Sequence, residues 1–469
     1  MTPLLLLEIN EVPWRLLDRY LGRPELAQVN RFFSESSHFT TLAVDTGELS
    51  PWVTWPTLHR GMNNERHGVK NLGQDPATFR GKPIWQEIRE RGGTIGICGS
   101  MQSWPPQEPG DGGFYIPDTF AHDERCIPSY VSALQAFNLS QVRSNPRVVT
   151  GAMPKATEAL RVAFSAPQAG VRLLTGARIF GHLVHERFDR AKRVKRPVYQ
   201  AVLFWDVFRR HFNARRPPQF STFFTNHVAG VMHRYWRDVF PEDFPHEPLA
   251  NGESHEWLMR FALRVLDDML RDVLEWADAN PELVVVFASS MGQDAVHRDY
   301  HEGVDLVVED LPLLIAQTGL ERSQYRPLLA MAPQVAIEVQ DQTLRDRTRS
   351  ILESAYCGSG RRLMRVQMIG PSLSITITTP PAKDMAGDTF HINGREVTWA
   401  SAGIRKQPVE PGTGYHIPQG TLAVLSRRLA GTPPRQDRLT VPADRIKDWL
   451  LSVSAEGHAK ISALASLTS

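Results

Sequence analysis

Between Ser50 and Gly73 the chain reads SPWVTWPTLHRGMNNERHGVKNLG. The run carries hydroxyls at Ser50, Thr54 and Thr57, imidazoles at His59 and His67, turn glycines at Gly61 and Gly68, and an amide at Asn71. Upstream, the apolar run Leu4 to Ile9 ends among Glu8, Asn10 and Glu11. A hydroxyl on a strand-to-helix turn near a strand-end carboxylate suits nucleophilic substitution, with the nucleophile activated by a metal ion or a base. An ordinary loop uses the same residue types, because hydroxyls and glycines are common in turns.

Further chemistry lies at other strand ends. Phe220 to Thr225 reads as a strand that runs into Asn226, His227 and His233, and two histidines in such a loop are candidate metal ligands or acid–base groups. Leu283 to Phe287 leads into Ser289, Ser290, Met291, Gly292, Gln293 and Asp294. His297, Arg298 and His301 then read as a basic surface loop, although Asp294 and His297 are also placed to enter a site. After Thr94 to Cys98, the loop Gly99 to Pro106 presents Ser100, Gln102 and Ser103 at a sheet edge where open α/β folds bind ligands.

The elements needed to position these groups are legible. Leu4 to Ile9, Thr94 to Cys98, Phe220 to Thr225 and Leu283 to Phe287 are short apolar runs of the kind buried in a parallel sheet. Pro83 to Arg91 and Trp257 to Ala279 have helical apolar spacing. The alternation predicts an α/β fold with a mostly parallel central sheet flanked by helices. Residues 1–119 form the first half of this core, 120–219 a helical basic cap, 220–300 the second part of the core, 301–400 a small α+β insertion and 401–469 the C-terminal part of the core.

Composition is ordinary for a globular chain, at 42% hydrophobic and 22% charged with a net charge of +2. Three scattered cysteines supply neither a disulfide framework nor a cysteine zinc site. The N-terminal stretch lacks a signal-peptide pattern and no run is long enough to span a bilayer, so a soluble cytoplasmic protein is expected. Charge is uneven, however. Residues 141–220 hold sixteen Lys or Arg against four Asp or Glu, with Arg193 in the densest part. A basic cap of amphipathic helices suits an anionic substrate or peripheral contact with a membrane. Nucleic acid is not expected, since aromatic interleaving and known binding modules are missing.

The run Trp55-Pro56-Thr57, Arg60-Gly61, Arg66-His67-Gly68-Val69 resembles the alkaline phosphatase superfamily, in its type I phosphodiesterase/nucleotide pyrophosphatase branch. His233 followed by Tyr235-Trp236, and His416 in a Gly-rich stretch before Pro418 and Gly420, extend the resemblance over most of the chain. It implies an alkaline phosphatase-like fold and a Thr or Ser nucleophile. Thr54 is preferred, with Ser50 and Thr57 as rivals. It also implies that Asn71 donates to a phosphoryl oxygen, and that Glu8, His233 and His416 hold zinc or manganese, with Asn226 as the stand-in for an Asp whose place falls on Ala229. The family's Asp-His ligand pair falls on Ser290 and Met291, which implies one ion rather than two, or none. In a metal-free variant, His233 or His416 serves as general base.

The expected function is a metal-assisted hydrolase or transferase acting on a phosphoryl ester of an anionic substrate, such as a phosphorylated small molecule or a lipid-linked glycan. Ser100, Gln102 and Arg193 are candidate substrate contacts. The alternative is a degenerate relative that binds a phosphorylated ligand without turnover. A sulfatase-type relative is disfavoured, because Ser50-Pro51-Trp52-Val53 lacks that nucleophile motif.

Overall fold

All six residues of β1 (Leu4–Ile9) are buried. Such a strand is stable only inside a sheet covered on both faces. It pairs in parallel with β5 (Phe220–Thr225) on one side and β6 (Val284–Ala288) on the other. The other strands of this sheet are β2 (Ser37–Leu42), β3 (Ile95–Cys98), β4 (Phe114–Ile116), β9 (Gln419–Ser426) and β10 (Leu439–Pro442). The order is β10-β2-β9-β6-β1-β5-β3-β4, and only β9 runs against its neighbours. The mostly parallel α/β sheet expected from the sequence is present. A separate antiparallel ladder joins β7 (Gly292–Ala295) to β8 (Gly414–Ile417).

This structure is a computed structural model and describes residues 1–144, 165–188, 190–245, 254–296, 304–330, 334–378, 387–408, 412–429 and 431–468. The chain divides into two compact units. The larger comprises residues 1–70, 76–296 and 412–469 and contains the eight-stranded sheet; the smaller comprises 71–75 and 297–411.

Among the described residues of the larger unit, the α-helices of seven residues or more are α1 (Trp14–Tyr20), α2 (Ala27–Glu35), α3 (Pro51–Arg60), α4 (Ile84–Glu90), α5 (Ser132–Ser144), α6 (Leu173–Phe188), α7 (Arg196–His211), α8 (His227–Val239), α9 (Glu256–Ala279) and α10 (Ala443–Glu456). Phe32 and Phe33 of α2 and Leu266 and Leu270 of α9 enter one core with Phe287 of β6. Asp267 of α9 accepts the backbone N–H groups of Gln28 and Val29 at 2.7 and 2.9 Å, which caps the open first turn of α2 from a neighbouring helix.

One expected loop is a helix. Asn226 to Trp236 reads as a stretch of small residues, yet α8 begins at His227. Val228, Val231, Met232, Trp236 and Val239 recur at helical spacing and are buried, and that stripe outweighs the small residues between them. The Ser50 to Gly73 run likewise contains a full helix, α3. Pro51 opens it, where a missing N–H costs nothing, and Gly61 closes it in the left-handed conformation.

The smaller unit holds an antiparallel sheet in the order Met364–Ile369, Ser372–Ile377, Gln334–Glu338, Arg326–Leu328. The helix Gln342–Glu353 lies in the same unit, and Ile337, Leu352, Ile375, Phe390 and Trp399 are among its core residues. Among the described residues no helix is long and apolar enough to cross a membrane.

Candidate functional site

The parallel strands β1, β5 and β6 end at one edge of the sheet, and β9 starts there. Polar groups gather at this edge. Glu11 follows β1 by two residues, is buried, and has φ of 60°. A left-handed glutamate is held against its steric preference, a feature that concentrates at functional sites.

Glu11 meets two histidines from distant parts of the chain. Its Oε2 lies 2.9 Å from Nε2 of His233, on α8, and 3.4 Å from Nε2 of His416, on β8. Nδ1 of His233 faces the Gly414 carbonyl at 3.0 Å, and Nδ1 of His416 faces the Leu49 carbonyl at 2.7 Å. A carbonyl only accepts, so each Nδ1 carries the proton and each Nε2 is turned toward Glu11. Burial alone would raise the Glu11 carboxyl; His416 and His233 overcome it and hold the carboxyl well below its usual range. Burial likewise pulls His416 down, and Glu11 reverses the effect and raises it.

Neutral groups complete the surroundings. Asn10 Nδ2 donates to Glu11 Oε1 and to Asn226 Oδ1, both at 2.7 Å. The Asn10 side-chain oxygen, Oδ1, accepts from the indole of buried Trp55 at 2.8 Å. The Gln293 amide donates to Glu11 Oε2, and the other amide atom, Oε1, is buried with no partner among the described residues. Glu11, His233 and His416 offer three ligand atoms within 4.8 Å of one another. Two imidazole nitrogens and a carboxylate, with the far ring nitrogens fixed by carbonyls, fit a zinc-like divalent cation with an open position.

The structure redistributes the residues expected here. Glu11, not Glu8, joins His233 and His416. Glu8 lies within β1 and is buried against His59 of α3, with Oε1 2.7 Å from Nε2. Asn226 reaches the site through Asn10. Thr54 is fully buried; its hydroxyl lies 2.8 Å from Ser290 Oγ and 3.3 Å from the Ser50 carbonyl. Met291 is buried too. Ser50 instead sits at the N-terminus of α3, one residue after the Leu49 carbonyl that holds His416. Among the described residues its hydroxyl makes no hydrogen bond. His227 is a packing residue: buried, bonded to Thr225 Oγ1 at 2.7 Å, and pushed down to about 4 by burial.

Ser100 is buried and its hydroxyl is 2.5 Å from Thr222 Oγ1, so it faces the sheet and not a ligand. Gln102 is half-buried in the following turn with φ of 59°. Asn71 belongs to the smaller unit, where its N–H meets Gln74 Oε1 at 3.3 Å. The side chain of Arg193 and the whole of His297 lie outside the described residues. Asp294 pairs with Arg15 at 2.6 Å and does not join the cluster; its neighbour Gln293 does.

Thr57 has a structural place. Its hydroxyl donates to Asp45 at 2.5 Å and lies 3.0 Å from His67 Nε2. The Val69 N–H donates to His67 Nδ1 at 3.0 Å, so the His67 proton is on Nε2. Burial lowers His67 to about 4 and raises Asp45 to about 6, despite the bonds from Thr57 and the Asn64 N–H. A raised carboxyl binds its proton more tightly folded than unfolded. Its contribution to stability is therefore complete below the unfolded value of 3.8 and is lost as the pH rises through about 6. Asp45→Asn keeps an acceptor for both donors. It is expected to stabilise the fold by about 1–2 kcal/mol at neutral pH, allowing for partial exposure, and by little near pH 4. Urea unfolding at the two pH values checks this.

No family model and no curated protein matches the chain. Solved structures similar to it include murine ectonucleotide pyrophosphatase/phosphodiesterase 5, at 11% identity, 100% coverage of both chains and a TM-score of 0.42. The human form has 12% identity, 99% coverage of each chain and a TM-score of 0.43. Phosphonoacetate hydrolase from Sinorhizobium meliloti, in complex with phosphonoformate, has 11% identity, 97% and 96% coverage and a TM-score of 0.44.

Proposed function

We propose that the chain is a phosphoryl-ester hydrolase that works with one divalent cation held by Glu11, His233 and His416. The observation that carries this reading is the pair of imidazoles whose Nδ1 atoms face backbone carbonyls while both Nε2 atoms converge on a buried carboxylate. A bound cation would supply Lewis acidity toward a phosphoryl oxygen. Ser50 is the nucleophile in this reading, in preference to Thr54. It heads a ten-residue helix, whose dipole favours an incoming phosphoryl group. Gln293 and Asn10 hold the two Glu11 oxygens and so fix the carboxylate. The basic balance of residues 141–220 favours an anionic substrate, either a phosphorylated small molecule or the phosphoryl group of a lipid-linked glycan.

The test is elemental analysis of protein purified without chelator, followed by assays on p-nitrophenyl phosphate and bis-p-nitrophenyl phosphate. About one equivalent of zinc or manganese together with hydrolysis of either ester supports the reading. No metal after reconstitution, and no turnover, sinks it.

A second reading rests on the Thr54–Ser290 hydrogen bond and the buried Met291. Neutral groups fill the place where the family resemblance implies a second pair of ligands. This favours a protein that binds a phosphorylated ligand without turning it over. Saturable binding of phosphate esters with intact product-free substrate would select it.

A further inference from the structure

We propose that the outer face of α6 docks on an anionic lipid bilayer. The observation is an inverted helix. Leu173, Ala177, Phe180, Val184 and Phe188 recur at three- and four-residue steps and form one stripe. Among the described residues that stripe is exposed: Leu173 by 89%, Phe180 by 69% and Phe188 by 84%. The inward face buries Thr175, His182 and Glu186, with Ile179 half-buried against the core beside them. Glu186 is satisfied there by the Arg196 guanidinium, with Nε 2.9 Å away, and the His182 ring lies 4.7 Å from that of Tyr199. Polar groups facing in and Phe and Leu facing out reverse the pattern of a helix in water. Such a face marks a contact surface.

Charge selects the occupant. Exposed Arg178 and His185 border the stripe on one side and exposed Arg187 on the other. In sequence, the stretch 141–220 that contains α6 carries sixteen basic against four acidic residues. Apolar side chains flanked by arginines are the composition of a helix lying in a bilayer interface, with the charged heads at the level of anionic headgroups. The proposal is independent of the Glu11 site.

The full chain is mixed with vesicles of phosphatidylcholine alone and of phosphatidylcholine with phosphatidylglycerol, and bound protein is separated by flotation. Binding to the anionic vesicles is expected, with little on the neutral ones, and falling severalfold or more as salt screens the headgroups. The double variant Phe180→Ser, Phe188→Ser is expected to bind at least about tenfold more weakly with its thermal unfolding unchanged, because both side chains are exposed. Arg178→Gln with Arg187→Gln is expected to weaken binding too, without touching the apolar stripe. Failure of the wild-type chain to bind anionic vesicles overturns the proposal, as does equal binding to both vesicle types. So does a dimer that the phenylalanine variant dissolves in the absence of vesicle binding, which would assign the face to a second copy.

Discussion

Glu11→Gln is expected to weaken divalent cation binding roughly a hundredfold or more and to abolish cation-dependent phosphoryl-ester hydrolysis. Glutamine keeps the size of the side chain and its bond with Asn10 or Gln293, so packing is preserved. What it removes is the only negative charge among the three ligand atoms, and with it the charge that draws His233 and His416 inward. His416→Ala is expected to act similarly by removing one nitrogen donor. Asp294→Asn is the matched control, since that carboxylate pairs with Arg15 outside the cluster. Isothermal titration with zinc and manganese, with metal content measured in parallel, separates the variants. Stoichiometric metal retained by Glu11→Gln at wild-type affinity would place the cation elsewhere.

The second large effect divides Ser50 from Thr54. Ser50→Ala is expected to reduce turnover by about three orders of magnitude with little loss of stability. Its hydroxyl makes no hydrogen bond among the described residues and caps nothing in α3. Thr54→Ala is expected to do the opposite. It leaves the Ser290 hydroxyl without its partner in a fully buried place and opens a small void. The cost is about 1–3 kcal/mol of stability, with turnover kept within about tenfold. Single-turnover assays and urea unfolding on the same two variants test both halves. Loss of turnover in Thr54→Ala with a wild-type unfolding midpoint would restore Thr54 as nucleophile.

The sheet was readable because its strands are short apolar runs punctuated by polar residues, and Leu4 to Ile9 and Leu283 to Phe287 could hardly be anything else. His233 and His416 were also reachable, since each precedes a legible pattern, Tyr235-Trp236 after the first and Pro418 with Gly420 after the second. The carboxylate was not, and the reason is register. Glu8 is inside β1, aligned with Phe224 and Ala288, so its side chain points to a sheet face and meets His59. A residue must pass the strand end before its side chain can turn over the edge, and Glu11 does so in a left-handed conformation. The setting of Thr54 was hidden for a similar reason. Composition placed it in a turn, whereas it lies a full turn inside α3 and faces Ser290. The Ala229-Gly230 pair hid the start of α8, because the apolar stripe becomes visible only when the window extends to Val239.

The β7–β8 ladder has one more consequence. Gly414 pairs with Ala295 and His416 with Gln293, and residues 297–411, nearly the whole smaller unit, are spliced between these strands. The splice points are therefore neighbours across a rung, joined also by the Val296 N–H to the Thr413 carbonyl at 3.0 Å. Chain breaks that meet this closely can be bridged by a tight turn. The proposed cation site would thus be modular. A minimal chain with a two- to five-residue hairpin turn in place of 297–411 retains every ligand and its carbonyl anchors. Residues 297–411 could then be exchanged, as a cassette, without altering the residues of the proposed centre.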